Sequence, residues 1–190
     1  MGNGIPTNTE NSMARTVKTA AVLGAGVMGC GIAAHLANAG VRVHLLDIVP
    51  RAKDGSLPED EAARNMLAAG AVAKAKKAKP KAFASPQRAA LVTVGNLEDH
   101  LDRLKEVDWV IEAVIENVDI KRTLFKKLAD YLPEHCALTS NTSGIPLDDL
   151  TQGMEEGLKK RTFITHFFNP PRYLRLVEVV SGPDTDKDLV

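Results

Sequence analysis

The chain has 190 residues, 44% of them hydrophobic and 25% charged, enough for one domain with a sizeable core. Its 24 Lys and Arg balance its 24 Asp and Glu, so the overall charge steers it toward neither nucleic acid nor an anionic membrane surface, and no nucleic-acid partner is expected. No apolar run approaches the roughly 18–20 residues that span a bilayer, which argues against membrane insertion.

Residues 1–16 are polar and lack the apolar core of a signal peptide, so a flexible leader is expected there, followed by a single domain over residues 17–190. Cys30 and Cys136 both lie in apolar runs, read as buried thiols, and point to a reducing, cytoplasmic setting. No metal is expected.

The apolar run 17–23 (VKTAAVL) reads as a buried strand that enters Gly24-Ala25-Gly26-Val27-Met28-Gly29. Ile32, Ala33, Leu36 and Ala37 then recur at helical spacing until Gly40 stops the helix, and residues 41–46 form a second strand ending at Asp47. Pro50, Asp54-Gly55 and Pro58 mark a loop, and residues 59–79 favour a helix until Pro80. A short strand is expected at 91–94, a small helix capped by Asn96 at 96–104, and a central strand at 107–114. An amphipathic helix over 119–131 carries Leu124, Phe125 and Leu128, and a strand at 136–139 leads into Ser140-Asn141-Thr142-Ser143. After a short helix at 146–150 comes a polar loop through Lys160, and two strands, 162–168 and 174–180, complete the pattern. Alternating strands and helices of this kind predict an α/β fold of the Rossmann type, a doubly wound, mostly parallel sheet flanked by helices.

A GxGxxG pattern alone is weak, but here it follows a strand, opens a helix and has an acid eighteen residues past its third glycine. In that context Gly24 permits the tight turn, Gly26 lets the backbone approach a pyrophosphate, and Gly29 allows close helix–strand packing. The helix N-terminus offers unpaired N–H groups to the phosphates. Asp47 is placed to accept hydrogen bonds from ribose hydroxyls and would repel a 2′-phosphate, which favours NAD over NADP, although Arg51 stands near enough to accommodate such a phosphate.

The segments GAGVMGCG (24–31), VIEAVIENVDIK (110–121), SNTS (140–143), HFFNP (166–170) and LVEVV (176–180) occur in an order that resembles the 3-hydroxyacyl-CoA dehydrogenase family. The resemblance covers roughly residues 18–185, and the stretch 48–96 with the wording HFFNPPRYLRLVEVV is more similar to the large form fused to an enoyl-CoA hydratase module. It implies NAD-dependent oxidation of a 3-hydroxyacyl-CoA to the 3-ketoacyl-CoA in fatty acid β-oxidation, with acyl-CoA as substrate.

By the same resemblance His166 is the catalytic histidine, Glu178 the carboxylate paired with it, and Ser143 and Asn169 the polar residues near the substrate oxygen. Glu116 and Lys121 correspond to cofactor contacts near the nicotinamide. Read without the resemblance, Ser143 could be a helix N-cap, Asn169 a turn former, Glu116 a helix-starting acid and Lys121 a solvated charge. The basic run Lys74, Lys76, Lys77, Lys79 and Lys81 reads as a solvated helix face or as contacts for the phosphates of coenzyme A. Members of the family continue into a helical domain, absent from this chain, that covers the acyl-CoA site and carries dimer contacts. A homodimer is therefore expected of the full-length protein and little turnover of this piece alone. The rival readings are a 3-hydroxyacid dehydrogenase of the 6-phosphogluconate type and a non-catalytic NAD-binding module.

Overall fold

The computed structural model describes residues 16–190, so the leader expected at residues 1–16 lies, apart from Thr16, outside the described residues. Strand β1 (Thr19–Leu23) is buried at every position, as befits a strand covered on both faces. The other strands are β2 (Arg42–Asp47), β3 (Val92–Asn96), β4 (Trp109–Glu112), β5 (Ala137–Ser140), β6 (Thr162–Phe167) and β7 (Val177–Val180). They form one sheet in the order β3-β2-β1-β4-β5-β6-β7. Every pairing is parallel except β6 with β7. The nine residues between those two strands are too few for a crossover, so the chain returns as a hairpin.

Helices cover both faces. On one side α1 (Val27–Ala39), α3 (Met66–Lys77) and α4 (Pro86–Ala89), with the short α2 (Glu61–Arg64) leading into α3, pack Ile32, Leu36, Ala68 and Val72 against Val22, Val43 and Leu45. On the other, α5 (Val118–Leu128), α6 (Leu147–Thr151) and α7 (Glu156–Lys159) set Leu124, Phe125, Leu150 and Leu158 against Leu23, Val110 and Leu138. Truncating a fully buried residue such as Ile32 or Phe125 to alanine typically costs about 2–5 kcal/mol, so both layers contribute to holding the sheet. Cys30 and Cys136 are buried and form no disulfide with each other, and burial pushes the Cys30 thiol up.

Several boundaries differ from the sequence reading. The helix expected over 59–79 is broken at Asn65, whose side-chain oxygen accepts a hydrogen bond from Asn96 Nδ2 at 2.7 Å across to β3. Asn96 does not cap a helix over 96–104. Its Oδ1 accepts from the N–H groups of Glu98 and Asp99, at 3.0 and 2.8 Å, closing a turn before a 3-10 segment at Leu101–Glu106. The polar loop after α6 contains α7, and the last strand starts only at Val177.

Candidate active site at the carboxyl edge of the sheet

The order of strands reverses between β1 and β4, and ligands of open α/β sheets bind in the crevice beyond the carboxyl ends of strands at such a point. The glycine turn stands there. Gly24 has φ +99°, and a Cβ on it would lie 2.6 Å from the Ala113 carbonyl oxygen. A Cβ on Gly29 would lie 1.8 Å from the oxygen of Gly24, so the helix can approach the strand end only without that side chain. Around Gly26 nothing comes within 4 Å of a Cβ position, which leaves open space against the exposed backbone at the start of α1. Asp47 ends β2 beside this turn. Its Oδ2 accepts the Ala25 N–H and its Oδ1 the Ile48 N–H, both at 2.7 Å, so the carboxylate is fixed and each oxygen keeps a lone pair for a further donor. Arg51 is turned into its own loop, where Nη1 donates to the Gly55 carbonyl at 3.1 Å.

A crevice of about 560 Å³ continues from Gly26 and Met28 over the ends of β4 and β5 to β6, and Glu116, Lys121, Asn141, Ser143, His166 and Asn169 line it. Lys121 is not a solvated charge. It occupies the first position of the buried stripe 121, 124, 125, 128 of α5 and is 1% exposed. Its ammonium donates to Glu112 Oε1 at 2.6 Å and lies 3.3 Å from Glu116 Oε2. Glu112 is wholly buried, and it accepts two more hydrogen bonds, from Val114 N–H at 2.7 Å and Ser140 Oγ at 2.5 Å. A buried ion pair of this kind is costly to break from one side, typically by about 3–5 kcal/mol. Glu116 precedes the helix, which Asn117 caps, and its carboxylate also accepts a hydrogen bond from Thr142 Oγ1. Burial pushes the Glu116 pKa up, but the bonds from Thr142 and Lys121 outweigh it and hold the group below its usual value.

His166 and Glu178 are directly opposed in the antiparallel pair of β6 and β7, the arrangement that puts two side chains on one face of a sheet. Nδ1 of His166 lies 2.8 Å from Glu178 Oε2. A carboxylate can only accept, so the ring donates through Nδ1, and in the neutral ring Nε2 then carries the lone pair. The ring also packs against Phe168, 4.5 Å between centroids. Ser143 is exposed on the loop after β5 and is not a helix cap, since α6 begins beyond it with Pro146 at its N-cap. Asn169 lies at the opposite rim, where the crevice meets a second groove.

Sequence reasoning did not single out Glu112 or Asn141. Asn141 Oδ1 accepts the Phe167 N–H at 2.9 Å and ties the end of β6 to β5, beside His166. The signal for Glu112 was present: an acid in the middle of the apolar run VDWVIEAV is a buried charge in need of a partner.

The second groove, about 550 Å³ and mostly apolar, runs between α1, α3 and residues 169–173. Lys74, Lys79 and Arg172 stand on it, whereas Lys76, Lys77 and Lys81 do not line it.

Fold and site together define a Rossmann-type dinucleotide-binding domain in which His166, paired with Glu178, lines the crevice. The chain belongs to the family described as "3-hydroxyacyl-CoA dehydrogenase, NAD binding domain", whose family model matches residues 19–190, and NAD is its cofactor. It is 49% identical over 174 residues to a Deinococcus radiodurans protein named "Probable 3-hydroxyacyl-CoA dehydrogenase", covering 92% of this chain and 48% of that protein. It is 33% identical over 177 residues to an Arabidopsis thaliana peroxisomal fatty acid beta-oxidation multifunctional protein, covering 93% of this chain and 23% of the other. Among solved structures it is similar to 3-hydroxybutyryl-CoA dehydrogenase of Escherichia coli K12, with a TM-score of 0.71 and 30% identity over 92% of this chain and 34% of that one. The chain thus spans half or less of the length of these relatives.

The turn fits the cofactor: the open approach at Gly26, the helix N-terminus behind it and the anchored Asp47 are what a dinucleotide needs.

Proposed function

We propose that the protein carrying this chain oxidises 3-hydroxyacyl-CoA to 3-ketoacyl-CoA with NAD, and that this chain supplies the cofactor site and the acid–base pair. The observation that carries the reading is the 2.8 Å contact of His166 Nδ1 with Glu178, which leaves Nε2 as a base on the wall of the crevice.

Bound NAD supplies the hydride acceptor. Gly24 and Gly26 would bring its pyrophosphate against the N-terminus of α1, which Gly29 lets approach the strand, and Asp47 would take the adenosine ribose hydroxyls and disfavour a 2′-phosphate. Glu116 and Lys121 bound the nicotinamide end. His166 Nε2 takes the proton of the substrate hydroxyl as that carbon gives up hydride, and Glu178 fixes the ring and stabilises the imidazolium that results. Ser143 and Asn169 donate hydrogen bonds to the substrate oxygens, where charge develops. In the second groove, Lys74 and Lys79 meet the phosphates of coenzyme A while the apolar walls take its remaining length. Leu174, Leu176, Val179 and Val180 stand exposed at and before β7, which fits cover by the helical domain of the family in a homodimeric, cytoplasmic protein. The likeness to the Arabidopsis multifunctional protein supports a further module in the full-length chain, and the resemblance of 48–96 and 166–180 to the large fused form makes that module an enoyl-CoA hydratase in this reading.

The test is substrate. Acetoacetyl-CoA should support NADH oxidation by the full-length protein while free hydroxy and keto acids do not. Activity on free acids with none on the thioester would overturn the reading.

A further inference from the structure

Three charged groups meet behind the crevice: Glu112, Lys121 and Glu116. They differ sharply in exposure. Glu112 is 0% and Lys121 1% exposed, whereas the Glu116 side chain is 48% exposed and opens onto the crevice. Glu112 is held at three points, by the backbone of Val114 at the end of β4, by Ser140 at the end of β5 and by Lys121 from α5. Its carboxylate therefore belongs to the rigid sheet edge, and the ammonium of Lys121 is fixed by it.

The Glu112–Lys121 pair, at 2.6 Å, sums to zero, so Glu116 is the net charge that this wall presents. A nicotinamide ring is positive when oxidised and neutral when reduced. A wall with one net negative charge therefore favours the oxidised form, to an extent that solvent around the half-exposed Glu116 limits.

We propose that Glu112 is a positioning residue that cancels and fixes Lys121, so that Glu116 sets a negative potential over the nicotinamide and biases the site toward NAD over NADH. The inference rests on the placement of the nicotinamide in this crevice under the proposed function. Without Glu112 the wall would carry one more positive charge and the bias would fall.

The experiment is a titration of the full-length protein with NAD and with NADH separately, in the absence of acyl-CoA, for wild type, Glu112→Gln, Lys121→Met and the double variant. Glu112→Gln should shift the ratio of the two dissociation constants by about tenfold toward NADH. Lys121→Met should shift it the other way, and the double variant should return it to within about twofold of wild type, because the charge difference has been removed. A Glu112→Gln protein that loses affinity for both nucleotides in equal proportion overturns the inference, since that is what a purely structural role predicts. So does a double variant that fails to restore the ratio. If Glu112→Gln does not fold, the decision rests on Lys121→Met, and an unchanged ratio there also overturns it. A wild-type protein that binds neither nucleotide would remove the cofactor reading itself, whereas binding with ratios indifferent to these changes removes only the role of Glu112.

Discussion

Replacing Gly26 by alanine and Gly29 by alanine should separate cofactor binding from folding, although the two glycines lie three residues apart. At Gly26 a Cβ meets nothing within 4 Å, and the backbone, at φ −64° and ψ −172°, is open to any residue. Alanine is a poorer N-cap than glycine by less than about 1 kcal/mol. It also narrows the unfolded ensemble, worth about 0.4–1 kcal/mol in the opposite sense. The two nearly cancel, so the melting temperature of Gly26→Ala should stay within about 2 °C of wild type. The same methyl occupies the space through which a pyrophosphate reaches the backbone, and NADH affinity should fall at least about tenfold, some 1.4 kcal/mol. At Gly29 a Cβ would lie 1.8 Å from the Gly24 oxygen and 3.4 Å from the Ala113 Cβ, so backbone would have to move to admit it. Overpacking against backbone should cost roughly 3 kcal/mol or more and lower the melting temperature by several degrees. Thermal unfolding and NADH fluorescence titration measure the two quantities. Wild-type NADH affinity in Gly26→Ala, or an unperturbed melting temperature in Gly29→Ala, would refute the reasoning.

Three further outcomes are expected. Glu178→Gln should lower kcat by about 10²–10⁴-fold, since an amide cannot stabilise the imidazolium, and should leave NAD affinity unchanged because Glu178 lies on the exposed strand β7; steady-state kinetics with both ligands varied will show it. Neutralising Lys74 and Lys79 together should raise the KM for acyl-CoA several-fold, with a weaker salt dependence and the same NAD affinity, as expected for removing two partly screened phosphate contacts; an unchanged KM would exclude this groove as the coenzyme A site. Hydrogen bonds from Arg64 and then Asn96 hold the Asp99 carboxyl at about 2, below its ordinary 3.8. A group depressed on folding contributes stability that is complete above the ordinary value and lost as pH falls through 3.8 toward about 2. Chemical denaturation between pH 5 and pH 2 should therefore show a shallower acid loss for Asp99→Asn than for wild type.

The frame of the fold was legible because its signals are local and redundant. The buried run of β1, the glycines that follow and the acid at the end of β2 fix one βαβ unit, and the apolar spacing of α5 fixes another layer. What the sequence hid were contacts between distant segments. Asn65 and Asn96 meet across 31 residues, and their hydrogen bond breaks a run whose composition favours one uninterrupted helix. The same limit applied at the site. Lys121 could be read either as a surface charge or as a ligand contact, and its burial follows only from Glu112, on another element, being there to pair with it. The stripe 121, 124, 125, 128 was a usable hint, because a lysine in register with three core residues has to find a counter-charge. The opposition of residues 166 and 178 needed the family resemblance, since a separation of twelve residues does not by itself specify hairpin register.

The most direct test of the account is single-turnover formation of NADH from a 3-hydroxyacyl-CoA by the full-length protein, comparing wild type with His166→Gln at saturating NAD. Loss of at least about a thousandfold in the rate of hydride transfer, with NAD affinity retained, is the predicted result. A His166→Gln protein that still reduces NAD at a rate near wild type would contradict it.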